Sequence, residues 1–195
     1  MSNEIKRVVI IGAGGVGFWL TVALRRDNPQ LEIVVYDDDN FEGGFGAQRL
    51  PYVANKATKK VQFLNNFVQM AMRDPALTPN AIKLSTEIVE SDPAEYWAES
   101  LVVDATDMPL EPRREIWQAL REAGAAMLRV SYDGNGIVVV SRGLPFATNP
   151  GGNYAIVPTM AQSQWAGGVG AAAVQKLLAG QEVGDYQMEL PGGIK

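Results

Sequence analysis

A glycine-rich segment directly after an apolar stretch constrains the fold of this chain more than any other feature. Residues 7–11 are Arg-Val-Val-Ile-Ile, and the next six are Gly-Ala-Gly-Gly-Val-Gly. The apolar, β-branched run predicts a buried strand, and the glycines allow a tight turn into a helix that begins at about Val16. Free N–H groups at the start of such a helix bind phosphate. We therefore predict that Gly12, Gly14, Gly15 and Gly17 contact a nucleotide.

An acidic run at the end of the second predicted strand supports this prediction. The apolar residues 33–36 are followed by Asp37, Asp38 and Asp39. A carboxylate about 20–25 residues after the glycines is placed to bind a ribose hydroxyl. We assign this role to Asp37, with Asp39 as a second candidate for nucleotide contact. A solvated turn is the alternative for Asp38 and Asp39.

Composition excludes several classes of function. With 195 residues, the chain is expected to form one domain over residues 1–195, with about 181–195 as a mobile tail. The net charge is −5 and basic residues form no block, so we expect no nucleic-acid partner. We also expect no membrane span and a cytoplasmic location, because no apolar run or leader segment is apparent. The chain has no Cys and no His, which excludes disulfides, a thiolate nucleophile and a histidine base.

Strand-like and helix-like segments alternate along the chain. This alternation predicts a doubly wound, Rossmann-like α/β fold with a mostly parallel sheet. The turn sequence Asp-Gly-Asn-Gly at 133–136 predicts a hairpin, so the C-terminal part of the sheet becomes antiparallel. Strands are expected at about 6–11, 31–36, 82–89, 101–107, 127–132, 136–141 and 153–157. Helices are expected at about 16–26, 55–72, 92–99, 112–124 and 160–178.

Charged residues after the acidic run indicate which nucleotide is bound. Arg49 and Lys56 are suited to phosphate oxygens, and Asp107, at the end of the strand predicted over 101–107, is suited to Mg²⁺. A triphosphate needs this combination more than a nicotinamide dinucleotide does. The alternatives are a surface role for Arg49, a solvated first-turn position for Lys56, and a capping role for Asp107.

In this order of motifs the chain resembles the ThiF/MoeB/ubiquitin-activating enzyme family, over about residues 5–180. The resemblance implies ATP and Mg²⁺ as cofactors and adenylation of the C-terminal carboxylate of a small ubiquitin-like protein ending in Gly-Gly. It implies a homodimer, nucleotide binding by the glycines and Asp37, catalytic roles for Arg49, Lys56 and Asp107, and Mg²⁺ binding by Asp107.

The chain departs from this family at several positions. Residues 44–49 lack the usual asparagine, and the interval from Arg49 to Lys56 is short, so Lys59 or Lys60 is an alternative functional lysine. Without cysteine, the chain cannot form a thioester of its own. Two other functions therefore stay open: a non-catalytic nucleotide-binding subunit of an activating complex, and an NAD-dependent oxidoreductase.

Overall fold

Seven strands form a single sheet in the computed structural model, which describes residues 4–40, 58–73, 77–132, 137–143 and 159–189. The strand order is β3-β2-β1-β4-β5-β6-β7. The first five strands pair in parallel, whereas β6 and β7 pair antiparallel to their neighbours. The predicted fold class is confirmed. The strands are β1 (Arg7–Ile11), β2 (Glu32–Tyr36), β3 (Thr78–Asn80), β4 (Ser100–Asp104), β5 (Ala126–Tyr132), β6 (Ile137–Ser141) and β7 (Tyr186–Glu189).

Helices cover both faces of this sheet. Side chains alternate along a strand, so Val8 and Ile10 enter one buried core while Val9 and Ile11 enter the other. Helices α1, α2 and α6 pack on the first face, and α3, α4 and α5 pack on the second. The helices are α1 (Gly15–Asp27), α2 (Lys60–Met72), α3 (Thr86–Ser91), α4 (Ala94–Ala98), α5 (Leu110–Glu122) and α6 (Met160–Leu178).

The predicted strand at 82–89 is wrong. The strand lies earlier, at Thr78–Asn80, and residues 86–91 form α3. Ser85 caps this helix, because its hydroxyl accepts the N–H of Ile88. β3 is the edge strand next to β2, a position that tolerates Pro79.

Two other predicted elements extend outside the described residues. The helix expected from 55 begins at Lys60, and residues 55–57 are not described. The strand expected at 153–157 also lies outside the described residues. By contrast, α6 has the expected bounds, and a capping box between Thr159 and Gln162 fixes its start.

Four residues of the tail expected over 181–195 form a strand, and the mobility of this segment stays a prediction. Tyr186–Glu189 form β7, which pairs with β6 from Ile137↔Glu189 to Val140↔Tyr186. The backbone N–H of Arg142 also donates to Asp185 at 2.7 Å, which fixes the entry to this strand. Among the described helices, none is both long and apolar enough to cross a membrane.

Candidate functional site

A cleft of about 390 Å³ lies at the carboxyl ends of the parallel strands. Its walls come from the carboxyl end of β5 and from the segments that follow β1, β2, β3 and β4, together with Lys60 of α2 and Ser163 of α6. The chain proceeds outward from β1 to β2 and β3 on one side, and from β4 to β5 on the other. Ligands of doubly wound sheets bind where the strand order reverses in this way.

The glycine segment forms the turn that the sequence predicts. Gly12 has a φ of +96°, and its N–H donates to the Tyr36 carbonyl at 2.8 Å. A Cβ on Gly17 would lie 1.8 Å from the Gly12 carbonyl oxygen, so no larger residue fits there. Gly12, Gly14 and Gly15 line the cleft, and α1 begins at Gly15. The first turn of α1 therefore lies at the cleft, as phosphate binding requires.

Asp37 holds the glycine segment in place. Its Oδ2 accepts the Ala13 N–H at 2.6 Å, and its Oδ1 accepts the Asp39 N–H at 2.8 Å. Burial raises the pKa of Asp37 above its ordinary value, although nearby Lys60 and the two backbone donors act in the opposite direction. The predicted acid is thus joined directly to the predicted glycine turn.

Lys60 lies beside the acidic residues Asp37 and Asp39. Its Nζ forms an ion pair with Asp39, and its backbone N–H donates to the Asp39 carbonyl at 3.0 Å. Burial alone lowers the pKa of Lys60, but the carboxylates of Asp37, Asp39 and Asp107 outweigh it and raise the pKa. Lys60 is therefore a charged group at the cleft, while Arg49 and Lys56 lie outside the described residues.

Asp107 is exposed on the opposite wall, in the segment after β4. It contributes to the pKa of Lys60, so the two groups interact across the cleft. Asp104, three residues earlier, is 2% exposed and forms an ion pair with Arg113 at 3.2 Å. It also accepts a hydrogen bond from the Trp117 indole at 2.8 Å. Asp104 therefore belongs to the interior beneath the cleft.

The far end of the cleft has a different character. Beyond Asp107 its walls are neutral and come from Met108, Pro109, Ser131, Tyr132 and Ser163. The charged side chains that line the described part of the cleft, Lys83 among them, lie on the β3–β2 side or at Asp107. Sequence reasoning missed Lys83 because it fell in the wrongly predicted strand. It missed Ser131 and Ser163 because a single serine in a strand or helix carries no recognisable signal.

Together, the fold and the cleft define a Rossmann-like α/β protein with a cleft at the glycine turn. The sequence matches no protein-family profile and no curated protein. Its structure is similar to E. coli MccB, with a TM-score of 0.70 and 14% identity, over 96% of this chain and 63% of MccB. It is also similar to E. coli tRNA N6-threonylcarbamoyladenosine dehydratase TcdA, with a TM-score of 0.68 and 15% identity, over 90% of this chain and 86% of TcdA. A third similar structure is that of PaaA, with a TM-score of 0.69 and 13% identity, over 98% of this chain and 63% of PaaA.

These likenesses confirm the predicted resemblance to ThiF/MoeB-type proteins at the level of the fold. The chain spans just under two thirds of the length of MccB and of PaaA. MccB structures include one with ATP and one with AMPCPP and MccA.

Proposed function

We propose that this protein binds ATP with Mg²⁺ and adenylates the carboxylate of a peptide or small protein. The observation that carries the proposal is the meeting of the glycine turn, Asp37, Lys60 and Asp107 at one cleft of a ThiF-like fold. In the reaction, a carboxylate oxygen of the acceptor attacks the α-phosphorus of ATP and forms a mixed anhydride. The bond from that phosphorus to the oxygen bridging to the β-phosphate breaks, and pyrophosphate leaves with the electron pair.

The acceptor carboxylate is ionised at neutral pH, so the reaction needs no general base. Catalysis then consists of positioning and charge stabilisation, which suits a chain without cysteine or histidine. The first turn of α1 binds phosphate, and Asp37 binds the ribose. Lys60 takes the phosphate role that we predicted for Lys56, because Lys60 lines the cleft. Arg49 remains a predicted second phosphate ligand.

Carboxylates at the cleft suit Mg²⁺, which prefers oxygen ligands. Asp107 is exposed on one wall, and the carboxylates of Asp37, Asp38 and Asp39 lie within 4.8 Å of one another on the other. When bound, Mg²⁺ would neutralise charge on the phosphates. We assign it to Asp107 as the sequence predicts, because Asp37 and Asp39 already bind backbone N–H groups or Lys60.

The neutral end of the cleft supports a peptidic acceptor. Hydroxyl groups and small apolar surfaces there match a main-chain segment without charged side chains. MccB has been crystallised with MccA, which supports a peptide acceptor. A small ubiquitin-like or sulfur-carrier protein ending in Gly-Gly is our specific candidate. TcdA is named for a reaction on tRNA, but a net charge of −5 disfavours nucleic acid as a partner of this chain. A homodimer and a cytoplasmic location remain predictions.

Thermal stability tests nucleotide choice. ATP with Mg²⁺ at about 100 times its Kd should raise Tm by about 5–10 °C, because binding at that level adds about 2.7 kcal/mol. NADH at the same concentration should shift Tm less. A larger shift with NADH would favour the oxidoreductase and contradict the proposal.

Pyrophosphate exchange tests the chemistry. With a suitable acceptor, labelled pyrophosphate should enter ATP, and the exchange should depend on Mg²⁺ and on Lys60. The acceptors to compare are short peptides and small proteins ending in Gly-Gly, with the same molecules amidated at the C terminus as controls. ATP binding without exchange for any of them would favour the non-catalytic subunit.

A further inference from the structure

We propose that Arg113 of α5 is a positioning residue that locks the segment carrying Asp107 against the glycine turn. It does so through Thr106. The inference rests on the proposed function, since it concerns the same cleft. It assigns a role to a buried ion pair that does not line the cleft itself.

Arg113 contacts both the backbone and the side chain of Thr106. The Nη2 of Arg113 donates to the Thr106 carbonyl at 2.9 Å and reaches the Thr106 hydroxyl at 3.4 Å. Arg113 is 6% exposed, so these contacts are shielded from water. A planar guanidinium fixes both the backbone and the side chain of Thr106, which a lysine ammonium could not do in the same geometry.

Asp104 also binds Thr106. Its Oδ1 accepts from the Thr106 N–H at 3.0 Å and from the Thr106 hydroxyl at 2.7 Å. Its Oδ2 pairs with Arg113 and with the Trp117 indole. Thr106 is thus held at its N–H, its carbonyl and its hydroxyl, and Asp107 is the next residue.

The same segment contacts the glycine turn. The Ala105 N–H donates to the Ile11 carbonyl at 2.9 Å. The Thr106 methyl carbon lies 3.0 Å from the place a Cβ on Gly12 would take, and the Ala105 carbonyl oxygen lies 3.1 Å from it. A change at Arg113 is therefore transmitted to both walls of the phosphate region.

A buried ion pair is a costly way to gain stability, because apolar residues of similar volume often serve as well. Its geometric specificity is what apolar residues cannot supply. In this protein, both members of the ion pair hydrogen-bond to Thr106.

Hydrogen exchange in the ligand-free protein tests whether Arg113 holds this segment in place, and the measurement does not depend on activity. We would compare R113K with R114K, the same change one residue further along α5, where Arg114 is exposed and pairs with Glu111. R113K should accelerate exchange at the amides of Gly12, Ala105 and Thr106 by about tenfold, while the β1 amides are unaffected. R114K should leave all of these amides as in the wild type.

Nucleotide binding gives the second readout. R113K should raise the Mg²⁺ concentration needed for half-maximal ATP binding by about tenfold, as for other residues that orient a metal ligand. T106V, which removes the hydroxyl, should act in the same direction and replaces R113K if that variant does not fold. T106S keeps the hydroxyl and should remain close to the wild type.

The outcomes separate this inference from the proposed function. If R113K and T106V lower Tm but leave the three amides and the Mg²⁺ requirement unchanged, the network only stabilises the fold and the inference is overturned. If the wild type binds no ATP, the proposed function fails. The exchange data then decide the inference alone: acceleration at the three amides supports it, and unchanged rates overturn it.

Discussion

Asp37 joins the glycine turn after β1 to the acidic segment after β2. In the sequence, these two segments are related only by their spacing. Its two carboxylate oxygens accept N–H groups from Ala13 and Asp39. The residue that we propose to bind ribose therefore also holds the glycine turn in place. Because burial raises the pKa of Asp37, the contribution of this residue to stability depends on pH.

The folded-state pKa of Asp37 is raised above 3.8. Between the unfolded and the folded pKa, the folded protein binds more protons, so the contribution of Asp37 to stability falls as pH rises through this window. We expect the free energy of unfolding of the wild type, minus that of D37N, to be greatest near pH 4 and to decline toward pH 7. Chemical denaturation at several pH values measures it. A difference that grows with pH would mean that the pKa is lowered instead.

Lys60 is the residue for which the structure most changes the predicted site. K60A should weaken ATP·Mg²⁺ binding by about tenfold to hundredfold, the usual effect of losing a charge-assisted hydrogen bond. K59A is the matched control, because Lys59 carries the same charge but its Nζ donates to the Asp38 carbonyl. Titration calorimetry of both variants measures the difference. Equal losses for the two would assign the effect to net charge.

Among the secondary-structure elements, the strand wrongly predicted at 82–89 has an identifiable physical cause. Residues 82–89 contain apolar residues at positions that suit a short strand, yet Ser85 caps a helix there. The helix is retained because Val89 is buried on the second face of the sheet, and its carbonyl accepts from the Trp97 indole at 3.1 Å. Tertiary contacts of this kind override local propensity in short segments.

The packing of α6 on α1 gives a direct test at this scale. A Cβ on Gly167 would lie 2.6 Å from the Leu20 backbone nitrogen, whereas one on Gly168 would meet nothing within 4 Å. G167A should therefore destabilise the protein by about 1–3 kcal/mol through overpacking. G168A should stabilise it by about 0.5–1 kcal/mol through helix propensity. Thermal or chemical denaturation distinguishes them, and similar effects for both variants would contradict the close contact.

At the scale of the molecule, the two cores share one sheet. Neighbouring residues of each central strand enter opposite cores, so the two cores are joined through the same strands. The four tryptophans report on both, with Trp19 and Trp165 on one face and Trp97 and Trp117 on the other.

We therefore expect one cooperative unfolding transition over the whole domain. A W19F/W165F variant and a W97F/W117F variant should each show the same midpoint by fluorescence and by far-UV circular dichroism. Midpoints that differ between the two probes within one variant would indicate separate folding units. That result would contradict the expectation of a single domain.

The sequence alone was enough to predict the fold class and the edge of the sheet at which the cleft lies, because both depend on local patterns. A β-branched run before glycines, an acid after the next strand and a hairpin turn each act over a few residues. Only the tertiary structure shows that Lys60 pairs with Asp39 at the cleft, that Asp104 pairs with Arg113 beneath the cleft, and that Ser131 and Ser163 line its neutral end. It also placed β7 at the sheet edge. Those positions depend on contacts between residues far apart in the chain, for which spacing alone carries no information.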